Sequence, residues 1–157
     1  MDSRELAARL HQELLGRGET VACAESLTGG GVADLLSGTP GASATYVGGV
    51  VSYATRVKRQ LLGVTAAQVV SADCASQLAL GVRDLLDTDW AVSTTGVAGP
   101  DKQDDKPVGT VYVGVAGPQG VQVQRLSLQG DRSAIRAQAC RAAVQALLDA
   151  LVPERGP

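Results

Sequence analysis

The residues best suited to chemistry lie in one short stretch, Ala24-Glu25-Ser26-Leu27-Thr28-Gly29-Gly30-Gly31. An apolar run over 21–24 stops at Glu25 and Ser26, three glycines follow, and an amphipathic pattern resumes at Val32. This order predicts a buried strand, a tight turn tipped with polar groups, and a helix start. Such a turn sets a hydroxyl where backbone N–H groups converge and the helix dipole favours negative charge. Three readings are open on these residues alone. Ser26 is an acyl-transfer nucleophile, or the turn cradles a phosphate, or the stretch is a glycine-rich connection capped by a serine.

A serine nucleophile needs a base to take its proton. His11 is the only histidine, and the pattern puts it on the polar face of the first helix, so a Ser-His-Asp triad is poorly supplied. The lysines are Lys58, Lys102 and Lys106. The latter two share a stretch with Asp101, Asp104 and Asp105, whose carboxylates hold a lysine charged. Lys58 has Arg56 and Arg59 beside it instead. Like charge and partial burial both lower a lysine pKa, as a neutral general base requires. Scarcity therefore pairs Ser26 with Lys58, against the plainer alternative of an exposed helix lysine. Cys23, Cys74 and Cys140 are scattered in apolar surroundings and read as small buried hydrophobes. With no His/Cys cluster, neither a metal site nor a metal cofactor is expected.

These groups need a scaffold. Leu6, Leu10, Leu14 and Leu15 predict a helix over 3–16, capped by Asp2 or Ser3 and stopped at Gly16 or Gly18. A strand over 20–24 and a helix over 30–36 bracket the glycine turn. Residues 46–54 form a β-prone run that reads as a strand covered on both faces. A short helix over 56–62 carries Lys58 and closes at Gly63, Thr65 caps a further helical turn, and a longer helix runs from Ser71 or Asp73 to Leu86. After a strand over 89–93 comes a polar loop, 94–107, of a length that in compact domains usually serves function. Strands over 108–116 and 121–128 make a hairpin, and a last helix over 133–151 buries Ile135, Ala139, Ala143, Leu147 and Leu151. Residues 153–157 read as a frayed tail. The expected fold is α/β: one domain over 1–157, three layers α/β/α around a mixed, mostly parallel sheet.

Composition agrees with a small, packed domain. The 157 residues are 45% hydrophobic, with no Phe, one Trp and three Tyr, so Val, Leu and Ala must build the core. A net charge of −2 offers no basic face for nucleic acid. No apolar leader or long apolar run is present, which points away from a membrane and toward the cytoplasm.

Several blocks stand in order along the chain: Ala24-Glu25-Ser26-Leu27-Thr28-Gly29-Gly30, Pro40-Gly41-Ala42-Ser43, Gly49-Val50-Val51-Ser52-Tyr53, Lys58, Gly63-Val64, Gly96-Val97-Ala98-Gly99-Pro100-Asp101, Lys106-Pro107-Val108-Gly109-Thr110-Val111 and Gly130-Asp131-Arg132. Together they resemble the CinA C-terminal family, the nicotinamide-mononucleotide amidases, in its stand-alone form. The resemblance implies hydrolysis of nicotinamide mononucleotide to nicotinate mononucleotide and ammonia, a step of pyridine-nucleotide (NAD) recycling, without a cofactor and in a homodimer. By position, Ser26 is then the nucleophile, Lys58 the base that later protonates ammonia, and Tyr53 a group that relays or orients the proton. Ser43 hydrogen-bonds the dyad or the substrate. The remaining implied substrate contacts suit their chemistry: N–H groups around Thr28, Gly29 and Gly30 for an oxyanion, bare backbone at Thr95, Gly96, Ala98 and Gly99 for the nucleotide, and Arg132 for its phosphate.

Two departures stand out. The family continues Gly-Pro-Asp with two glycines where this chain has Lys102-Gln103, and Thr95 occupies a position where serine is common. These leave two rivals open: a nucleotide-binding module without turnover, and an amidase for a different small amide.

Overall fold

The computed structural model describes residues 1–153, so the expected frayed tail falls largely outside the described residues. Five strands form one sheet in the order β2-β1-β3-β4-β5: β1 Val21–Glu25, β2 Tyr46–Val51, β3 Trp90–Gly96, β4 Thr110–Gly117 and β5 Gly120–Ser127. β1 pairs parallel with β2 and β3, while β3–β4 and β4–β5 are antiparallel. Four of the five strands therefore run the same way, with β4 reversed.

Helices cover both faces. On one side α1 (Ser3–Arg17), α2 (Gly31–Ser37) and α5 (Arg132–Leu151) pack Leu10, Val32, Ile135 and Leu147 against Val21, Val92 and Val113. On the other, α3 (Thr55–Leu62) and α4 (Ala72–Leu86) pack Leu62, Leu78 and Val82 against Ala22, Ala24 and Ala91. The small side chains on that second face of β1 and β3 admit α4 closely. The fold is α/β with three layers.

The caps explain where the helices begin. Asp2, Ser71 and Asp131 each accept a hydrogen bond from the backbone N–H of the third helical residue of α1, α4 and α5. α1 and α3 end at Gly18 and Gly63, both left-handed.

Four expectations need correction. The strands covered on both faces are β1, β3 and β4, buried throughout or at all but their ends; β2 is an edge strand whose residues alternate between half-buried and exposed. A Val/Gly-rich run does not distinguish the two kinds, because β-branched residues suit either place. The buried stripe of α1 runs through Ala7, His11 and Leu14, leaving Leu15 exposed; His11 hydrogen-bonds Thr45 Oγ1 at 2.7 Å. No helical turn forms at Thr65, since Gln77 Oε1 takes the N–H groups of Thr65 and Ala66. Finally, β3 continues through Gly96, because Thr94–Gly96 pair with Val111–Val113 of β4, so the loop starts at Val97.

The sheet order places the chemistry. From β1 the chain crosses to β2 on one side, and β3 leaves toward β4 on the other. A crevice thus opens beyond the carboxyl ends of β1 and β3, the point where α/β sheets bind ligands.

Candidate active site

Ser26 follows directly on the last residue of β1, and Lys58 stands in the first turns of α3, four residues into the helix. The Lys58 amine lies 2.9 Å from Ser26 Oγ. Lys58 is the largest side chain in the fully buried set, at 2% exposure. It also donates to the main-chain carbonyls of Ser52 at 2.6 Å and Tyr53 at 3.0 Å. Burial pushes its pKa below the ordinary 10.5, against a smaller opposing effect of the Cys74 thiol. Two carbonyls occupy two N–H groups, so the third position of the nitrogen faces the serine. In the neutral amine that position is the lone pair. This is the arrangement by which a lysine takes a proton from a serine hydroxyl.

The turn after Ser26 is held from several sides. The Gly29 N–H donates to the Ser26 carbonyl at 3.1 Å and the Gly31 N–H to the Thr28 carbonyl at 3.0 Å. Buried Glu25 accepts from the N–H groups of Val32 at 2.8 Å and Ala33 at 3.0 Å, filling the start of α2. Thr94 Oγ1, fully buried on β3, lies 3.3 Å from the Ser26 N–H and 2.8 Å from Thr28 Oγ1. Arg136 of α5 donates to the Leu27 carbonyl at 2.9 Å. With the amides of Ser26, Gly29 and Gly31 occupied from within, this turn is less an open phosphate cradle than a support for one hydroxyl. Gly29 and Gly30 have φ of +56° and +109°, which carry the chain away into α2.

Ser26 and Lys58 line a cavity of about 410 Å³ together with Tyr53, Thr55, Val69, Val70, residues 95–103 and Arg132. The expected site residues Thr95, Gly96, Ala98 and Gly99 are thus on its wall. The Thr95 hydroxyl, however, donates to the Val69 carbonyl at 2.5 Å and serves the wall itself. Tyr53 is exposed, and its hydroxyl accepts from Arg132 at 2.8 Å; the part of Tyr53 that touches Lys58 is its carbonyl. Arg132 also donates to the Gly99 carbonyl at 2.6 Å, so it spans the mouth between two loops. Thr28, Gly29 and Gly30 are not brought to the cavity lining, nor is Ser43, which sits exposed in the 3-10 turn Ala42–Ala44. Thr94, Arg136 and the carbonyls of Ser52 and Tyr53 were not found by sequence reasoning. A polar run, Ser93-Thr94-Thr95, on an otherwise apolar strand was the available signal for the first. Among the described residues no group of three His, Cys, Asp or Glu side chains is arranged to hold a metal ion. All three cysteines are free and buried, with burial pushing Cys23 to about 12 and Cys74 and Cys140 to about 11.

Comparison with known proteins gives this geometry a family. The model of the CinA C-terminal domain matches residues 3–151. The chain belongs to the CinA C-terminal domain family. CinA-like proteins of Frankia casuarinae and of a Cyanothece species are 49% identical over 128 residues and 50% identical over 127. Those matches cover 78% and 77% of this chain and 30% of each relative, so this CinA domain spans about 30% of their length. A competence-damaged protein (CinA) superfamily protein from Klebsiella pneumoniae superposes with a TM-score of 0.92 at 34% identity, over 96% of this chain and 98% of that one. Its counterpart from Escherichia coli gives 0.90 at 27% identity, over 94% and 90%. The CinA fold thus extends over nearly the whole chain. No helix among the described residues is long and apolar enough to cross a membrane.

Proposed function

We propose that this CinA domain is an amidohydrolase that converts nicotinamide mononucleotide to nicotinate mononucleotide and ammonia, as a step in pyridine-nucleotide recycling. The observation that carries the reading is the buried Lys58 amine 2.9 Å from Ser26 Oγ, with its other N–H groups fixed by two carbonyls. Ser26 Oγ attacks the carboxamide carbon while its proton passes to Lys58 Nζ. The main-chain N–H of Leu27, one residue past the nucleophile on the cavity wall, is assigned to the developing oxyanion. On collapse the C–N bond breaks, and the Lys58 ammonium returns its proton to the leaving nitrogen, which departs as ammonia. Water then attacks the Ser26 ester, again giving a proton to Lys58, and the carboxylate leaves as Ser26 recovers its hydrogen. Arg132 at the mouth supplies the cation for the phosphate.

The test is ammonia release from nicotinamide mononucleotide by wild type beside Ser26→Ala, with EDTA present throughout. Release by wild type alone supports the reading. Lys102 and Gln103, both on the cavity wall, are the observation favouring a binding module. Retention of the nucleotide by wild type with no ammonia released would replace the amidase with that module. Release only from amides lacking the phosphate would change the substrate.

A further inference from the structure

The cavity has one wall that belongs to no helix or strand. Residues 63–70 form a strap between α3 and α4, and Val69 and Val70 at its end line the cavity. Two main-chain amides of these buried residues are taken up by one atom. The N–H groups of Val69 and Val70 each donate to Asp104 Oδ2 at 3.0 Å.

Asp104 is set for this by its loop. Asp104 and Asp105 both lie in the left-handed region, with φ of +52° and +58°, and Gln103 pairs with Lys106 in a β-bridge. This tight reversal returns the 97–109 loop over the strap. Lys106 adds a contact to Gln68 Oε1 at 3.0 Å. Val69 is thereby gripped at both ends of its peptide, by Asp104 at the N–H and by Thr95 at the carbonyl.

We infer that Asp104 is a latch that joins the strap to the 97–109 loop and so sets the width of the cavity; it is a positioning residue for substrate and takes no part in bond making. The strap meets Lys58 at its main-chain carbonyl, through the N–H groups of Gly63 and Val64, and the contacts that hold the reacting atoms are separate. Lys58 is fixed by the carbonyls of Ser52 and Tyr53, and Ser26 by Thr94 and its own turn, none of them on the strap. Opening the latch therefore loosens the substrate's walls and leaves the reacting atoms in place, which is a loss of binding more than of chemical rate.

Three variants separate the latch from general softening. Asp104→Gly removes the acceptor and is unstrained at positive φ. Asp104→Asn keeps an oxygen acceptor and tolerates the left-handed backbone. Asp105→Gly gives the neighbouring position the same added freedom and leaves the latch alone. With two hydrogen bonds to a carboxylate lost, Asp104→Gly is expected to raise KM for nicotinamide mononucleotide about tenfold with kcat within about twofold, and to speed exchange of the Val69 and Val70 amides at least about tenfold. Asp104→Asn and Asp105→Gly should stay near wild type in both readings. The latch is overturned if Asp104→Gly leaves KM and exchange unchanged, if its loss is confined to kcat, or if Asp105→Gly reproduces it. The KM arm rests on the amidase reading. Should wild type release no ammonia, that reading falls by itself, and exchange of the two amides alone decides the latch.

Discussion

A lysine works as a base only in the fraction that is neutral, and the surroundings of Lys58 enlarge that fraction. Burial lowers its pKa, and no carboxylate hydrogen-bonds it among the described residues. Ammonia release should therefore rise with pH through an apparent pKa below 10.5, as the amine loses its proton. The sign for stability follows from the same shift. Between the lowered folded value and 10.5 the unfolded chain binds the extra proton, so this group makes stability rise with pH across that window. Lys58→Ala and Lys58→Arg should each lower kcat/KM by about 10²–10⁴-fold, the usual worth of a positioned base, because arginine is never neutral. A pH–rate profile beside both variants checks this, and substantial activity in either ends the dyad. The pair was legible in the sequence because lysine and histidine are so scarce. The two carbonyls that aim the amine were not, since a main-chain oxygen leaves no mark in residue type. For the same reason Tyr53 drew attention for its hydroxyl, whereas its contact with Lys58 is through the backbone.

The elements matter by how closely they approach. A Cβ at Gly81 of α4 would stand 2.3 Å from the Leu62 carbonyl at the end of α3, so α4 meets α3 through bare backbone. Gly81→Ala must push α3 outward and move Lys58 from Ser26. The expected cost is about 1–3 kcal/mol in a denaturant titration, with kcat reduced and KM less affected. Thr94 links β3 to the turn after β1 in another way, by hydrogen bonds. Thr94→Val keeps the shape but leaves the Ser26 N–H and the Thr28 hydroxyl without their partner, which should cost about 1–3 kcal/mol and lower kcat. Wild-type kcat in Thr94→Val would show that the turn holds Ser26 unaided. Caps and glycines made helix ends legible, as at Asp2, Ser71 and Gly63. The edge position of β2 was not, because which strand lies outermost depends on crossovers and not on local pattern.

Across the molecule, three connections far apart in sequence converge at the carboxyl ends of β2, β1 and β3, and α5 closes the group from its first residue. Arg132 joins the Gly99 carbonyl of the β3–β4 loop to the Tyr53 hydroxyl of the β2–α3 connection. The α/β layering was legible because strand and helix patterns alternate. The convergence was carried by family resemblance, since no spacing rule brings residue 132 to residue 53. Arg132 thus has two possible tasks, a brace across the mouth and a cation for phosphate, and one variant tells them apart. Arg132→Gln removes the charge and keeps one amide donor, on a shorter side chain, toward the brace. A charge-assisted contact is worth about 1.5–3 kcal/mol, so KM for the mononucleotide should rise roughly 10–100-fold. The corresponding nucleoside, which lacks the phosphate, should show nearly the same kcat/KM with wild type and variant. If both substrates lose equally, Arg132 acts on the walls of the cavity and the phosphate is bound elsewhere. If only the nucleotide loses, the charge at the start of α5 is what makes this cavity select a phosphorylated amide.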